Sequence, residues 1–242
     1  MTYKTARYKN INVSYLPVLD GGGDDFGQEF IRVVKEKTGK VDHIFEFCAG
    51  PGFIGFSLLA HGLCNKLTLA DINPEAVKAC EDTIRRNNLS DRVKVYLSDC
   101  LDSIPKTEKW DLVVSNPPMA DSTYEKYLTF IRKYDPDFII HKKFYKNIHA
   151  FLKPGGSAML QEDERHTKKE VYLPMIKESN LEVIEVFKAR PLSWYECILK
   201  TRFRATVRRL LKGKNFEDRN PFSKMRPSRI YYLWTRPANA AK

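Results

Sequence analysis

The tetrapeptide Asn116-Pro117-Pro118-Met119 is the most chemically pointed stretch of this 242-residue sequence. Two consecutive prolines fix their own φ and restrict the residue before them, so the Asn116 side chain and the Pro117 carbonyl are presented rigidly. A side-chain oxygen and a backbone carbonyl at one spot are a pair of acceptors. They can hold both hydrogens of a planar NH2 group and leave its nitrogen lone pair free to react. Such a site works by position and needs neither a metal nor a covalent intermediate. Three acids, Glu46, Asp71 and Asp99, stand within or at the end of short apolar runs. Asp71 suits the two hydroxyls of a ribose, and Asp99 suits the amino group of an adenine, with Ile72 as an apolar face for the ring. Glu46 would gain a pyrophosphate nothing, but through water or backbone it could help hold the amino group of a zwitterion. Between Glu46 and Asp71 lies Cys48-Ala49-Gly50-Pro51-Gly52, where two glycines permit a tight turn and close approach of a ligand. Alone, that loop could serve a dinucleotide, a phosphate or no ligand at all.

These groups need a scaffold that gathers separate strand ends. From Val41 onward, short apolar runs alternate with amphipathic ones. HIFEF (His43 to Phe47), KLTLAD (Lys66 to Asp71), VKVYLSD (Val93 to Asp99) and DLVVSN (Asp111 to Asn116) read as four buried strands. SAMLQE, LEVIEVF (Leu181 to Phe187) and RIYYLWTR (Arg229 to Arg236) supply three more. Between them the pattern predicts a helix from Ile54 to His61 and another beginning at Asn73-Pro74-Glu75, with Asn as cap and Pro in the first turn. A third spans about Lys143 to Leu152 and ends at Lys153-Pro154-Gly155-Gly156. Gly21 to Asp25 reads as a flexible turn. Strand-helix alternation at this spacing implies right-handed βαβ units and a mostly parallel sheet, whose ligands sit beyond the carboxyl ends of the strands.

EFCAGPG, ADIN, LSD and SNPPM, in this order, resemble the motifs of class I S-adenosylmethionine-dependent methyltransferases over roughly His43 to Phe187. The resemblance implies an α/β, Rossmann-like, seven-stranded sheet, mostly parallel, with an antiparallel last strand. It implies a methyltransferase domain over 41–242, an N-terminal lead-in over 1–40 and a basic insertion at about 189–228. It also implies S-adenosylmethionine as cofactor, met by Glu46, Cys48, Gly50, Gly52, Asp71, Ile72, Asp99, Cys100 and Asn116. Cys48 replaces the commonest first glycine of the loop. The motif Asn116, Pro117, Pro118, Met119 resembles the catalytic N-PP-aromatic signature of enzymes that methylate glutamine amides of release factors and ribosomal proteins, or exocyclic amino groups of bases. Met119 offers a polarisable apolar contact where those enzymes place a ring; Phe26, Tyr124 or Trp194 could supply one. Gly21 to Phe30 could cover the cofactor or be a surface turn. The expected activity is methyl transfer to an amide or amino nitrogen, with RNA or a ribosome-associated molecule preferred as acceptor. Protein glutamine, a small-molecule amine and a non-catalytic RNA-binding module are the alternatives. The intact Asn116, Gly50, Gly52, Asp71 and Asp99 argue against the last.

Charge bears on the acceptor. Lys and Arg number 41 against 30 Asp and Glu, a formal net charge of +11. Between Ala189 and Arg229 stand 12 basic residues and three acids, which leaves 29 basic and 27 acidic residues in the remainder. The protein is thus a nearly neutral body with one strongly basic segment. Within that segment Leu199, Phe203, Val207, Leu210 and Leu211 recur at helical spacing, with Arg202, Arg204, Arg208 and Arg209 between them. That pattern describes an amphipathic basic helix. It could present a solvated face, a platform for the phosphates of RNA or, less favoured, a contact with a membrane surface. Topology predicts that it leaves the sheet at the edge carrying Asn116. No run of 18 apolar residues is present, and the polar N-terminus has no signal core, which points to a cytoplasmic protein. Five scattered cysteines without a CxxC pair fit a reducing compartment. The five histidines show no HxH or HxxxH spacing, so no metal is expected.

Overall fold

The computed structural model describes residues 2–19, 23–121, 133–188 and 229–238, with 23–28 described in backbone only. Seven strands form one sheet: β3 (His43–Phe47), β4 (Lys66–Asp71), β5 (Val93–Leu97), β6 (Trp110–Ser115), β7 (Leu152–Asp163), β8 (Leu181–Phe187) and β9 (Ile230–Pro237). Their order is β5-β4-β3-β6-β7-β9-β8. The pairs β3–β4, β4–β5, β3–β6 and β6–β7 are parallel, and β9 runs antiparallel between β7 and β8. This is the mostly parallel sheet with an antiparallel last strand that the motif order implies. The chain crosses from β3 to β4 on one side and reaches β6 on the other, so the strand order switches at the carboxyl end of β3.

Alternation along the strands divides the core. On one face Ile44, Leu67, Leu69, Leu112 and Val114 pack with α2 (Phe53–Ala60) and α3 (Pro74–Arg86). On the other, Phe45, Phe47, Val113 and Leu160 pack with α4 (Ile139–Ile148) and α5 (Lys169–Glu178). Strands covered on both faces read as continuous apolar runs, which is why they were conspicuous in the sequence. Asn73 caps α3 as its position predicts: its Oδ1 accepts the Glu75 amide at 3.0 Å.

Three features depart from the sequence reading. Gly23–Lys37 forms a helix, α1, although Gly21 to Asp25 reads as a turn. Its Phe30, Val33 and Val34 share one face and join the core, and burial there outweighs the helix-weakening glycines. The N-terminus, polar on average, forms a hairpin of β1 (Lys4–Tyr8) and β2 (Ile11–Tyr15), with Ala6, Tyr8, Ile11 and Val13 buried. Finally, α4 begins at Ile139, four residues earlier than expected, and Lys153 to Gly156 lie within β7. The basic segment falls outside the described residues.

Candidate active site

The loop after β3 builds the floor of the site. Cys48, Gly50 and Gly52 all have positive φ, of 51°, 52° and 77°. Cys48 therefore sits in the left-handed conformation that favours glycine, which accounts for the small residue expected there. A Cβ on Gly50 would meet open space, so its backbone faces the cavity unobstructed. Gly52 does not line the cavity; a Cβ there would lie 2.8 Å from the Phe56 ring, so Gly52 serves the loop-to-helix junction.

Glu46 is buried, and its carboxylate accepts the amides of Gly55 at 2.7 Å and Ile54 at 3.3 Å. It thus closes the N-terminus of α2, where a negative charge is favoured. Burial nevertheless pushes its carboxyl up to about 8, against the two amide hydrogen bonds. A Cβ on Gly55 would stand 2.7 Å from Glu46 Oε2, so Gly55 makes room for this cap.

Asp71 ends β4 with its Oδ2 on the Gly50 amide at 2.7 Å and Oδ1 on the Asn73 amide at 2.9 Å. Burial raises its pKa, and the backbone amides of Asn73 and Gly50 oppose that shift. The Ile72 amide also lowers it, so three backbone amides meet a carboxylate of about four lone pairs, and acceptor capacity for a further donor remains. Next to it Ile72 is 45% exposed, a bare apolar face on the cavity wall. Asp99 also lines the cavity but is held by Lys143 of α4 at 2.6 Å, which also bridges Asp102. Burial works against the Lys143 ammonium, but its bonds to Asp102 and Asp99 prevail and raise its pKa. Cys100 is buried with φ of 50°, and burial pushes its thiol up to about 12.

Asn116 follows β6 directly. The Ser115 hydroxyl donates to the Phe47 carbonyl, locking the end of β6 to the end of β3. Asn116, Pro117, Pro118 and Met119 accordingly line the same cavity, of about 450 Å³, as Glu46, Cys48, Gly50, Asp71, Ile72, Asp99 and Cys100. The Met119 carbonyl accepts the Thr167 hydroxyl at 2.6 Å, which fixes the end of the motif.

The cavity is also lined by Lys133, Ile140, Asp163, Arg165 and Ile230, which the sequence reading passed over, and by His166, which it counted among histidines without a ligand role. The strand-end rule that singled out Asp71 also points to Asp163, the last residue of β7. Lys133 and Arg165 carried no such signal. Arg202, Arg204, Arg208 and Arg209, with Tyr124 and Trp194, lie outside the described residues, as does the Phe26 side chain. Among the described residues no cluster of three or more His, Cys, Asp or Glu could hold a metal ion. Nor is any helix among them long and apolar enough to cross a membrane.

A sheet of this order, with a glycine loop after β3, an acid at the end of β4 and a rigid Asn-Pro-Pro turn after β6, defines the class I methyltransferase architecture. Residues 21–171 match the methyltransferase small domain, and the chain belongs to that family. It is 32% identical over 124 residues to the release factor glutamine methyltransferase of Clostridium acetobutylicum, covering 47% of this chain and 44% of that protein. It is 28% identical over 161 residues to the ribosomal protein uL3 glutamine methyltransferase of Francisella tularensis, covering 64% of this chain and 47% of that protein. The chain thus spans about half the length of these relatives. Among solved structures, the T. thermophilus 16S rRNA N2 G1207 methyltransferase in complex with AdoMet and guanosine shares the fold. The TM-score is 0.55 at 17% identity, with 76% of this chain and 47% of that one covered.

Proposed function

We propose that this chain transfers a methyl group from S-adenosylmethionine to an amide or exocyclic amino nitrogen of a translation-associated macromolecule. The observation that carries the reading is the convergence of Asn116, Pro117 and Pro118 with Gly50 and Asp71 on one cavity. The residues fit the cofactor: Asp71 has acceptor capacity left for a ribose, Ile72 offers an apolar face to the adenine, and Gly50 leaves room for close approach. Glu46, Cys48, Asp99 and Cys100 complete that end of the cavity, and Gly52 shapes the loop. The cofactor supplies the electrophilic methyl group. The Asn116 side-chain oxygen and the Pro117 carbonyl receive the two hydrogens of the acceptor NH2, which orients the nitrogen lone pair. Met119 and Pro118 provide the apolar wall beside that group.

The two relatives above act on glutamine, which suits a planar amide at this turn. The basic segment favours RNA or a ribonucleoprotein, because the chain leaves β8 at Phe187 and returns at Ile230, which lines the cavity. Arg202, Arg204, Arg208 and Arg209 are the candidate phosphate contacts. A cytoplasmic setting belongs to the same reading, supported by four free cysteines among the described residues.

The test is radiolabelled methyl transfer from S-adenosylmethionine into fractionated cell extract, with wild type, Asn116→Ala and Asp71→Ala. Label is expected in RNA or ribosome-associated protein. Asn116→Ala should lose turnover with cofactor affinity nearly unchanged, and Asp71→Ala should weaken the cofactor. No cofactor binding by wild type would overturn the reading, and full turnover by Asn116→Ala would remove the motif from the mechanism.

A further inference from the structure

Behind the acceptor end of the cavity lies a cluster of ionisable side chains that the proposed mechanism does not use. Asp135, His141, Glu162 and Tyr172 are each fully buried. His141 Nδ1 lies 2.6 Å from Asp135 Oδ2 and its Nε2 lies 3.0 Å from Glu162 Oε1. The Tyr172 hydroxyl donates to Glu162 Oε2 at 2.9 Å. Ionised carboxylates only accept hydrogen bonds, so both ring nitrogens serve them as donors only when the ring is imidazolium. Asp135 also accepts the amides of Ile140 at 2.8 Å and His141 at 3.2 Å, in the first turn of α4.

Both ends of this cluster lead to the same dipeptide. From Asp135, the backbone amide donates to the Ala120 carbonyl at 2.9 Å, and the Lys133 carbonyl accepts the amides of Met119 and Ala120. From Glu162, β7 continues to Asp163, whose carbonyl holds the Thr167 amide, and the Thr167 hydroxyl holds the Met119 carbonyl. Asp137 and Phe138, between Asp135 and α4, both have left-handed φ, of 51° and 54°. That stretch keeps such a conformation only when its surroundings determine it.

The geometry points to His141 as a positioning residue: clamped between Asp135 and Glu162, it holds Met119 and Ala120, and with them the acceptor end of the cavity, in register. The acceptor role of that end rests on the proposed methyl transfer. The clamp bears through hydrogen bonds on the acceptor wall, whereas the Gly50 amide is held by Asp71 at the end of β4. Facing the ring are Asp135 from the preceding turn, Glu162 from β7, Tyr145 from α4 and Tyr172 from α5. Tyr231 of β9 lies near Glu162. Burial opposes the charge on His141, but Glu162 and Asp135 outweigh it and hold the ring at about 9. A histidine pKa raised on folding stabilises most below its ordinary value near 6.5, and that contribution is lost as pH rises through about 9.

The experiment is hydrogen exchange by mass spectrometry on the full chain, corrected for intrinsic rates, from pH 6 to 10, alongside calorimetric titration with S-adenosylmethionine. In wild type the peptides carrying Met119, Ala120 and Asp135 should lose protection as pH passes through about 9. Glu162→Gln keeps the shape and removes one carboxylate, so the same loss should move at least about one pH unit lower. Its affinity for S-adenosylmethionine should stay within about twofold, since Glu162 has no contact with Gly50 or Asp71 and the Lys143–Asp99 pair is left in place. Tyr172→Phe removes one hydrogen bond to Glu162 and carries the test if Glu162→Gln does not fold. It should speed exchange roughly tenfold in the same peptides and nowhere in the Gly50 loop. An unmoved transition in Glu162→Gln, unchanged exchange in Tyr172→Phe, or an equal rise in the Gly50 loop would overturn the positioning role. Absence of cofactor binding in wild type would overturn the methyl-transfer reading instead.

Discussion

At the scale of single residues, the cavity combines groups left open to its interior with groups that hold the cavity in shape. Glu46 belongs to the second kind as much as the first, because its carboxylate is occupied by the amides of Ile54 and Gly55. The raised pKa has a measurable consequence. Folding lifts this carboxyl from an ordinary value near 4.5 to about 8, so the native state keeps a proton that the unfolded chain releases. Stability from this group therefore falls as pH rises from about 4.5 to about 8, then levels. Glu46→Gln cannot ionise. The stability advantage of wild type over this variant should shrink between pH 5 and pH 8 and stay constant above pH 9, as read from urea unfolding at each pH. A constant gap across that range would show that the carboxyl titrates normally. Asp71 was legible in the sequence as a strand-end acid, and its exposed neighbour Ile72 as an apolar face. The engagement of Asp99 by Lys143 was not, because it depends on the angle at which α4 crosses the sheet end.

At the scale of elements, the N-terminal hairpin is fastened to α3 by side-chain hydrogen bonds. Thr83 Oγ1 accepts the Ser14 amide at 2.9 Å and donates to the Ala79 carbonyl, and Asn87 exchanges two hydrogen bonds with the Asn12 backbone. Thr83→Val keeps the volume but leaves the buried Ser14 amide without its partner. The expected cost is about 1–3 kcal/mol in denaturant unfolding, with amide exchange accelerating first in β1 and β2. Thr83→Ser, which keeps the hydroxyl, should recover most of the hydrogen-bond loss. Equal destabilisation by the two variants would assign the effect to packing. This hairpin and α1 mark the limit of what pattern alone reveals. The inner strands β3, β4, β6 and β7 announce themselves because they are largely covered on both faces, whereas β1 and β2 bury one face against α2 and α3. In α1 the glycines at the start hide a helix whose Phe30, Val33 and Val34 join the core. The Asn73 cap was legible because its signal is local. The clamp around His141 was not, since Asp135, His141, Glu162 and Tyr172 are united only by tertiary packing.

At the scale of the whole molecule, the charge of +11 resolves into a nearly neutral body and one basic segment that leaves the sheet after Phe187 and rejoins it at Ile230, on the cavity wall. If a phosphate backbone runs across that segment on its way to Asn116, binding must release counterions in proportion to the cations engaged. Each Arg-phosphate contact contributes about 0.7–0.9 to the slope of log affinity against log salt, the lower figure applying to single strands. Changing Arg204, Arg208 and Arg209 together to Ala should therefore flatten the slope for RNA by about 2 to 3. The affinity of S-adenosylmethionine should remain as in wild type, because Asp71 and Gly50 lie in the neutral body. Fluorescence anisotropy with labelled RNA across a salt series gives both slope and affinity. An unaltered slope would mean that the segment carries its charge to solvent rather than to the acceptor. A protein acceptor would then be favoured, and the Asn116 turn, with its fit to a planar amide, would bear the whole burden of recognition.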